Sequence, residues 1–132
     1  MTFTVELEPD APILVLIHKG SFMAEFADGV KAILAALDAV SEPVFMVFDV
    51  HEVVISLDEL TMGASTLARS PKALMHHPKV RENLVVSRDG LFKLGAAGLR
   101  TATFVGVKIR SFDTLEQALS YCHEQIAVGA RR

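Results

Sequence analysis

The chain has 132 residues, 51% of them apolar and 22% charged, with 13 basic and 16 acidic side chains and a net charge of −3. So apolar a composition excludes a disordered or collagen-like chain, and a single cysteine, Cys122, excludes an internal disulfide framework. Neither figure names a chemistry. The length suits one hydrophobic core, hence a single domain over residues 1–132. Met1-Thr-Phe-Thr-Val-Glu lacks the basic and apolar regions of a secretory signal, and no segment approaches about 18 uninterrupted apolar residues. A cytoplasmic protein without a membrane span is the expectation.

Along the chain, Phe3, Val5 and Leu7 alternate with Thr4, Glu6 and Glu8, the pattern of a half-buried strand. Pro9-Asp10-Ala11-Pro12 is a turn. Ile13–Ile17 is continuously apolar, as in a strand buried on both faces, and it is predicted to end at His18-Lys19-Gly20 with Ser21 as a helix N-cap. Phe22, Phe26, Val30, Ile33, Leu34 and Leu37 then recur at helical spacing. Pro43 closes that unit, and Val44–Phe48 is a second buried strand, predicted to close at Asp49.

Ser56-Leu-Asp-Glu59 has the form of a capping box opening a helix that stops before Pro71. Ser70-Pro71 can restart a short helix before His77-Pro78. Leu84–Val86 reads as a strand, 91–102 as a helix rich in Gly and Ala, and Val105–Ile109 as the last strand. Thr114-Leu-Glu-Gln117 is a further capping box, opening a helix to about Ile126. The order is ββαβα(α)βαβα. It predicts an α/β domain with a mostly parallel sheet of four or five strands, an N-terminal antiparallel hairpin and crossover helices.

The charge is unevenly distributed. Residues 1–66 hold eleven acidic and two basic side chains, residues 67–132 five acidic and eleven basic. The halves form an extended charge dipole if they map to opposite edges of the sheet, or scatter as ordinary solvated surface charge.

Most familiar chemistries fail on their residue requirements. No G-x-G-x-x-G follows the first central strand, where His18-Lys-Gly-Ser21 stands instead, so dinucleotide and P-loop readings are excluded. A phosphoacceptor receiver needs further carboxylates at the end of that strand for a hard cation, and His18 and Lys19 occupy it. His76 and His77 are adjacent, about 100° apart on a helix, and there is neither an HExxH nor a Cys–His cluster, so no metal or other cofactor is expected. Cys122 lies late in the last helix, where the dipole opposes a thiolate; it reads as core filler. Ser65 and Ser87 lack a nucleophile-elbow context.

Arg69, Lys72, His76, His77, Lys79 and Arg81 form a basic stretch without an aromatic ring in an acidic chain. That argues against nucleic acid and reads as a solvated connector or a site for an acidic partner. Residues 91–107 carry only Lys93 and Arg100 as charges, while Phe92, Leu94, Ala96, Ala97, Leu99 and Ala102 surround the predicted helix. Such a helix needs cover on its outer face: core packing, a subunit interface or an apolar ligand.

Together the strand–Gly20–Ser21–helix opening, the Val44–Asp49 strand with its short loop and helix, and the ending Val107-Lys-Ile-Arg-Ser-Phe-Asp113 with Thr114-Leu-Glu-Gln-Ala-Leu119 resemble the STAS/SpoIIAA-like group, the anti-anti-sigma-factor fold. The resemblance covers most of the chain and implies a small βα superhelix with crossover helices chiefly on one side of the sheet. Regulatory members of the group carry a phosphorylatable serine in a D-S-S-G turn after the Asp-ended strand. Here that turn reads Ile55-Ser-Leu-Asp-Glu59, with Asp58 at the switch position and Ser56 explained as a cap.

The reading is therefore a non-catalytic regulatory or protein-interaction module, a homodimer without a serine phosphoswitch. Its candidate contacts are Asp49, His51, Ser56, Asp58 and Glu59 in the loop and helix start, and Phe92, Leu94 and Leu99 on the apolar helix. A carrier for a small apolar or lipid-like ligand beside residues 91–104 is the alternative. A small hydrolase using His18, His51 and Asp49 at the strand C-termini is the third. This last requires a histidine within hydrogen-bond reach of Asp49 in a concave pocket.

Overall fold

The computed structural model describes residues 3–8, 11–21, 26–54, 56, 58, 78–88, 90 and 109–130. Ile13, Leu14, Val15 and Leu16 are all buried, because strand β2 (Ile13–Ser21) lies inside a sheet covered on both faces. β1 (Phe3–Leu7) pairs antiparallel with β2 and forms the predicted hairpin. Helix α1 (Phe26–Ala39) then leads to β3 (Val44–Val54), and β4 (Val80–Val86) and β5 (Ile109–Phe112) follow, all parallel to β2. Helix α2 (Leu115–Ala130) closes the chain. The strands lie in one sheet in chain order, β1-β2-β3-β4-β5.

Strand alternation divides the core into two layers. On one face Leu14, Leu16, Met46, Phe48 and Val85 pack with Ile33 and Leu37 of α1, whose Asp28, Lys31 and Asp38 stay exposed. On the other, Ile13, Val15, Phe45, Val47, Leu84 and Val86 meet Ala118 and Cys122 of α2, flanked by Leu115, Leu119, Tyr121 and Ile126. The crossover helix α1 thus covers one face, and α2, which follows the last strand, covers the other. Each fully buried Leu, Ile or Val contributes roughly 1.5–3 kcal/mol.

Several boundaries differ from the sequence expectation, among them the two at the end of the chain, where β5 runs to Phe112 rather than stopping at Ile109 and the last helix to Ala130 rather than about Ile126. Ser21 is not a cap: β2 continues through it, with Gly20 opposite Val53 and Ser21 opposite Val54. Asp49 does not end its strand, since β3 runs five residues further to Val54. β4 begins at Val80 rather than Leu84 because its charged residues are accommodated: Arg81 lies over the Phe45 ring at 4.6 Å and Glu82 is paired with Arg110 and Tyr121. At the C-terminal helix the predicted cap forms, with the Gln117 N–H donating to Thr114 Oγ1 (3.2 Å) and Gln117 Oε1 accepting from the Asp113 N–H (3.2 Å).

Because spatial order repeats chain order, the two charge halves lie toward opposite edges of the sheet. Among the described residues the first half carries eight acids and two bases, whereas the second balances four acids with four bases. The first half is thus strongly acidic, although Asp49 and Glu52 stand on the central strand β3 and Asp28 and Asp38 on α1; the remaining basic side chains lie outside the described residues.

Candidate functional site

Asp49, Val86 and Phe112 stand level across the sheet, Asp49 opposite Val86 and Val86 opposite Phe112. There β4 and β5 stop, while β2 and β3 continue together as a two-stranded ribbon. The step between the long and short strands opens a cleft of about 360 Å³, lined by Asp49, His51, Val86, Arg88, Asp113, Thr114 and Leu115. It lies at the C-terminal ends of parallel strands and the start of α2, where open α/β sheets place their sites.

A bulge shapes the wall of this cleft. Pairing advances two residues along β2, from Ile17 to Lys19, and three along β3, from Asp49 to Glu52. The extra residue reverses the alternation, so Val50 and Val53 both enter the α1-side core although they are three apart. Bulges re-aim side chains in this way beside functional sites.

Asp49 continues the series Phe45–Val47 onto the α2 face and is only 1% exposed. Its Oδ1 accepts from the backbone N–H of His51 at 3.3 Å and also contacts the His51 ring nitrogen Nδ1. A carboxylate is an acceptor only, so Nδ1 carries the proton of that bond and Nε2 is the ring nitrogen left for other contacts. The His51 side chain is half exposed, with Nε2 4.0 Å from Glu52 Oε2. Glu52 in turn pairs with Lys19 at 3.2 Å on the surface. Among the described residues Arg88, exposed on the opposite wall, makes no ion pair, whereas Asp113 has a polar contact of its own.

The structure brings together two of the sequence candidates, Asp49 and His51. His18 is buried on β2 and alternates with Leu14 and Leu16 toward the α1 face, away from the Asp49 carboxylate. Ser56 and Asp58 are exposed, and Asp58 is helical. Glu59, Phe92, Leu94 and Leu99 lie outside the described residues, as does the whole stretch 91–107 on which the apolar-ligand reading rests. Arg88, Asp113 and Thr114 line the cleft without having been singled out as site residues. The available signal was positional, since Arg88 follows the strand Leu84–Val86 and Asp113–Thr114 open the last helix.

Other candidates have structural roles. Lys79 Nζ donates to the Val40 carbonyl at 2.9 Å just past the end of α1, and Arg81 stacks on Phe45. Burial, followed by the Glu82 charge, pushes the fully buried Cys122 thiol up to about 12, which keeps it protonated at neutral pH. Tyr121 donates to Glu82 Oε1 at 2.5 Å, and Arg110 Nε donates to Glu82 Oε2 at 2.7 Å. Burial and then the bond to Glu82 raise the Tyr121 phenol above its usual value. Among the described residues no group of three His, Cys, Asp or Glu side chains is placed to hold a metal ion, and no helix is long and apolar enough to cross a membrane.

No protein-family model matches the sequence, and no curated protein is significantly similar to it. Its backbone is similar to the crystal structure of an uncharacterized DUF3478-family protein with a SpoIIAA-like fold from Shewanella loihica PV-4. The TM-score is 0.61 at 17% sequence identity, over 91% of each chain. Likeness at that identity carries the fold and not the activity. With one mixed five-stranded sheet, an N-terminal hairpin and a terminal helix over the second face, the chain has a SpoIIAA-like α/β fold.

Proposed function

We propose that the protein is a non-catalytic cytoplasmic regulatory module whose working site is the cleft at the C-terminal edge of the parallel strands. One observation carries this reading. Position 49 continues an apolar strand series, yet it holds an acid at 1% exposure, bound to a histidine that opens to solvent. Burying a carboxylate costs several kcal/mol before its partners are counted, and an apolar side chain of similar size fills such a position without that cost. Breaks in local pattern of this kind concentrate at functional sites.

The Asp49–His51 contact within the cleft meets the geometric requirement of the hydrolase reading, and recognition is preferred over turnover on what else lines the cleft. Among the described residues that line the cleft only Thr114 bears a nucleophilic hydroxyl, and that oxygen already accepts the Gln117 N–H that caps α2. A kinase-driven switch has less support, because Asp58 stands where the resemblance places the switch serine. Homodimerisation through residues 91–107 is part of the proposal on sequence grounds alone, and light scattering that returns a monomer removes it.

The reading is tested by affinity capture from a lysate of the encoding organism, comparing the wild-type chain with Asp49→Val and Arg88→Gln baits of equal thermal stability. A discrete species held by the wild type and lost from both variants is expected. Equal retention by all three baits would overturn the cleft as the working site.

A further inference from the structure

We infer that the cleft binds a small oxyanion, the carboxylate or phosphate head of a compact molecule, between the Arg88 guanidinium and the His51 imidazole. This rests on the cleft being the working site and adds the class of ligand.

Charge and donor geometry lead to that class. Arg88 presents five N–H donors in a rigid fork and, among the described residues, has no ion-pair partner to occupy them. Such a fork matches the paired oxygens of a carboxylate or phosphate. Across the cleft Asp49 engages His51 through Nδ1, so Nε2 is the ring atom offered to a ligand, and it donates to an oxyanion only in the doubly protonated ring. A protonated His51 also neutralises the Asp49 charge, which otherwise opposes an anion.

Two further carboxylates stand at the cleft, and their charge works against an anion. Glu52, beside Nε2, is held by Lys19 of β2, and Asp113 has a polar contact of its own. The Asp113 N–H is taken by Gln117. Val86 and Leu115 supply an apolar lining for the body that carries the head group. A space of about 360 Å³ admits a small molecule or a single side chain, and a folded partner reaches no further than its rim. Three His, Cys, Asp or Glu ligands are not assembled among the described residues, so a divalent cation is the poorer fit.

The test is a ¹⁵N–¹H NMR titration of the full chain with inorganic phosphate, benzoate and choline, at constant ionic strength. Saturable shifts at Val86, Arg88, Asp113, Leu115 and the His51 ring are expected with phosphate or benzoate, and which of the two saturates identifies the head group. Arg88→Gln should weaken that affinity at least tenfold, the order expected for a lost charged hydrogen bond. Lys31→Gln, exposed on α1 over the opposite face of the sheet, should leave it within twofold. If Arg88→Gln fails to fold, Arg88→Lys replaces it, with an intermediate affinity expected from a point charge without the fork.

Diffuse, unsaturable shifts with both anions overturn the inference, as does equal affinity in the Arg88 variant. Saturation by choline at the same amides overturns the assigned sign of charge. Absence of anion binding with variant-dependent capture intact removes the ligand class alone; loss of both results removes the cleft as a site.

Discussion

Asp49 and His51 lie two residues apart on β3, and one carboxylate oxygen of the first meets both the backbone N–H and the Nδ1 of the second. Same-face neighbours on a regular strand are separated by about 7 Å along the chain. The bulge between Asp49 and Glu52 is what departs from that geometry and turns His51 into the cleft. A buried acid held for function should be dispensable for stability. Asp49→Val, continuing the Phe45–Val47 series, is expected to leave the urea midpoint unchanged or raise stability by up to about 2 kcal/mol. A loss greater than about 1 kcal/mol would instead assign the pair to the scaffold.

The same contact determines the imidazole tautomer. With Nδ1 donating to a carboxylate, the neutral ring carries its proton there, and the ¹⁵N shifts of His51 should report an Nδ1–H form in the native protein. In Asp49→Val the acceptor is gone and the preference should disappear. An Nε2–H form in the wild type would show that the ring is not oriented by Asp49.

The part of the fold legible in the sequence was the part encoded by local pattern. Alternation marked β1, the unbroken apolar runs marked the interiors of β2, β3 and β4, and Thr114 with Gln117 marked the start of α2. Strand ends were less legible. Ser21 and Asp49 carry local stop signals, but pairing of Gly20 and Ser21 with Val53 and Val54 extends both strands past them. Likewise Arg81 and Glu82 read as loop residues until Phe45, Tyr121 and Arg110 supply partners up to 39 positions away. The Asp49–His51 half of the site was visible because both residues fall on one short segment. Arg88 and Asp113 join it only because β4 and β5 stop level with Asp49, which is a property of register and not of composition.

Alkaline stability follows from the α2 face. Cys122, pushed to about 12 from 9.0, and Tyr121, raised above 10.0, both hold their protons longer in the folded chain than in the unfolded one. Their contribution is complete below the unfolded values and is lost as pH rises through the native ones. The unfolded chain releases the proton first, so stability should fall with pH by up to about 1.4 kcal/mol per pH unit for each group. Chemical denaturation between pH 9 and 12 should show the decline, with Cys122→Ala and Tyr121→Phe each flattening it. A slope unchanged in both variants would place its origin elsewhere.

The Glu82 cluster allows a comparison of two hydrogen bonds to one carboxylate. Tyr121 is half-buried, and Tyr121→Phe leaves a partly covered Glu82 oxygen short of a donor, at an expected cost of 1–2 kcal/mol, on the order typical of charged hydrogen bonds. Arg110 is exposed, and Arg110→Met should cost less than about 1 kcal/mol despite its 2.7 Å contact. The reverse ranking in urea melts would mean that the exposed ion pair between β5 and β4 outweighs the half-buried bond between α2 and β4.

Gly29 lies within α1, where glycine costs roughly 0.5–1 kcal/mol relative to alanine through the freedom it retains in the unfolded chain. The position is buried, yet among the described residues a Cβ placed on it would meet nothing within 4 Å. Gly29→Ala therefore adds a methyl without a clash and removes unfolded-state entropy, and both effects act in the same direction. A rise in thermal midpoint of about 3 °C is expected for a chain of this size. A fall in the midpoint would show that some neighbour approaches α1 closely enough to require the missing side chain.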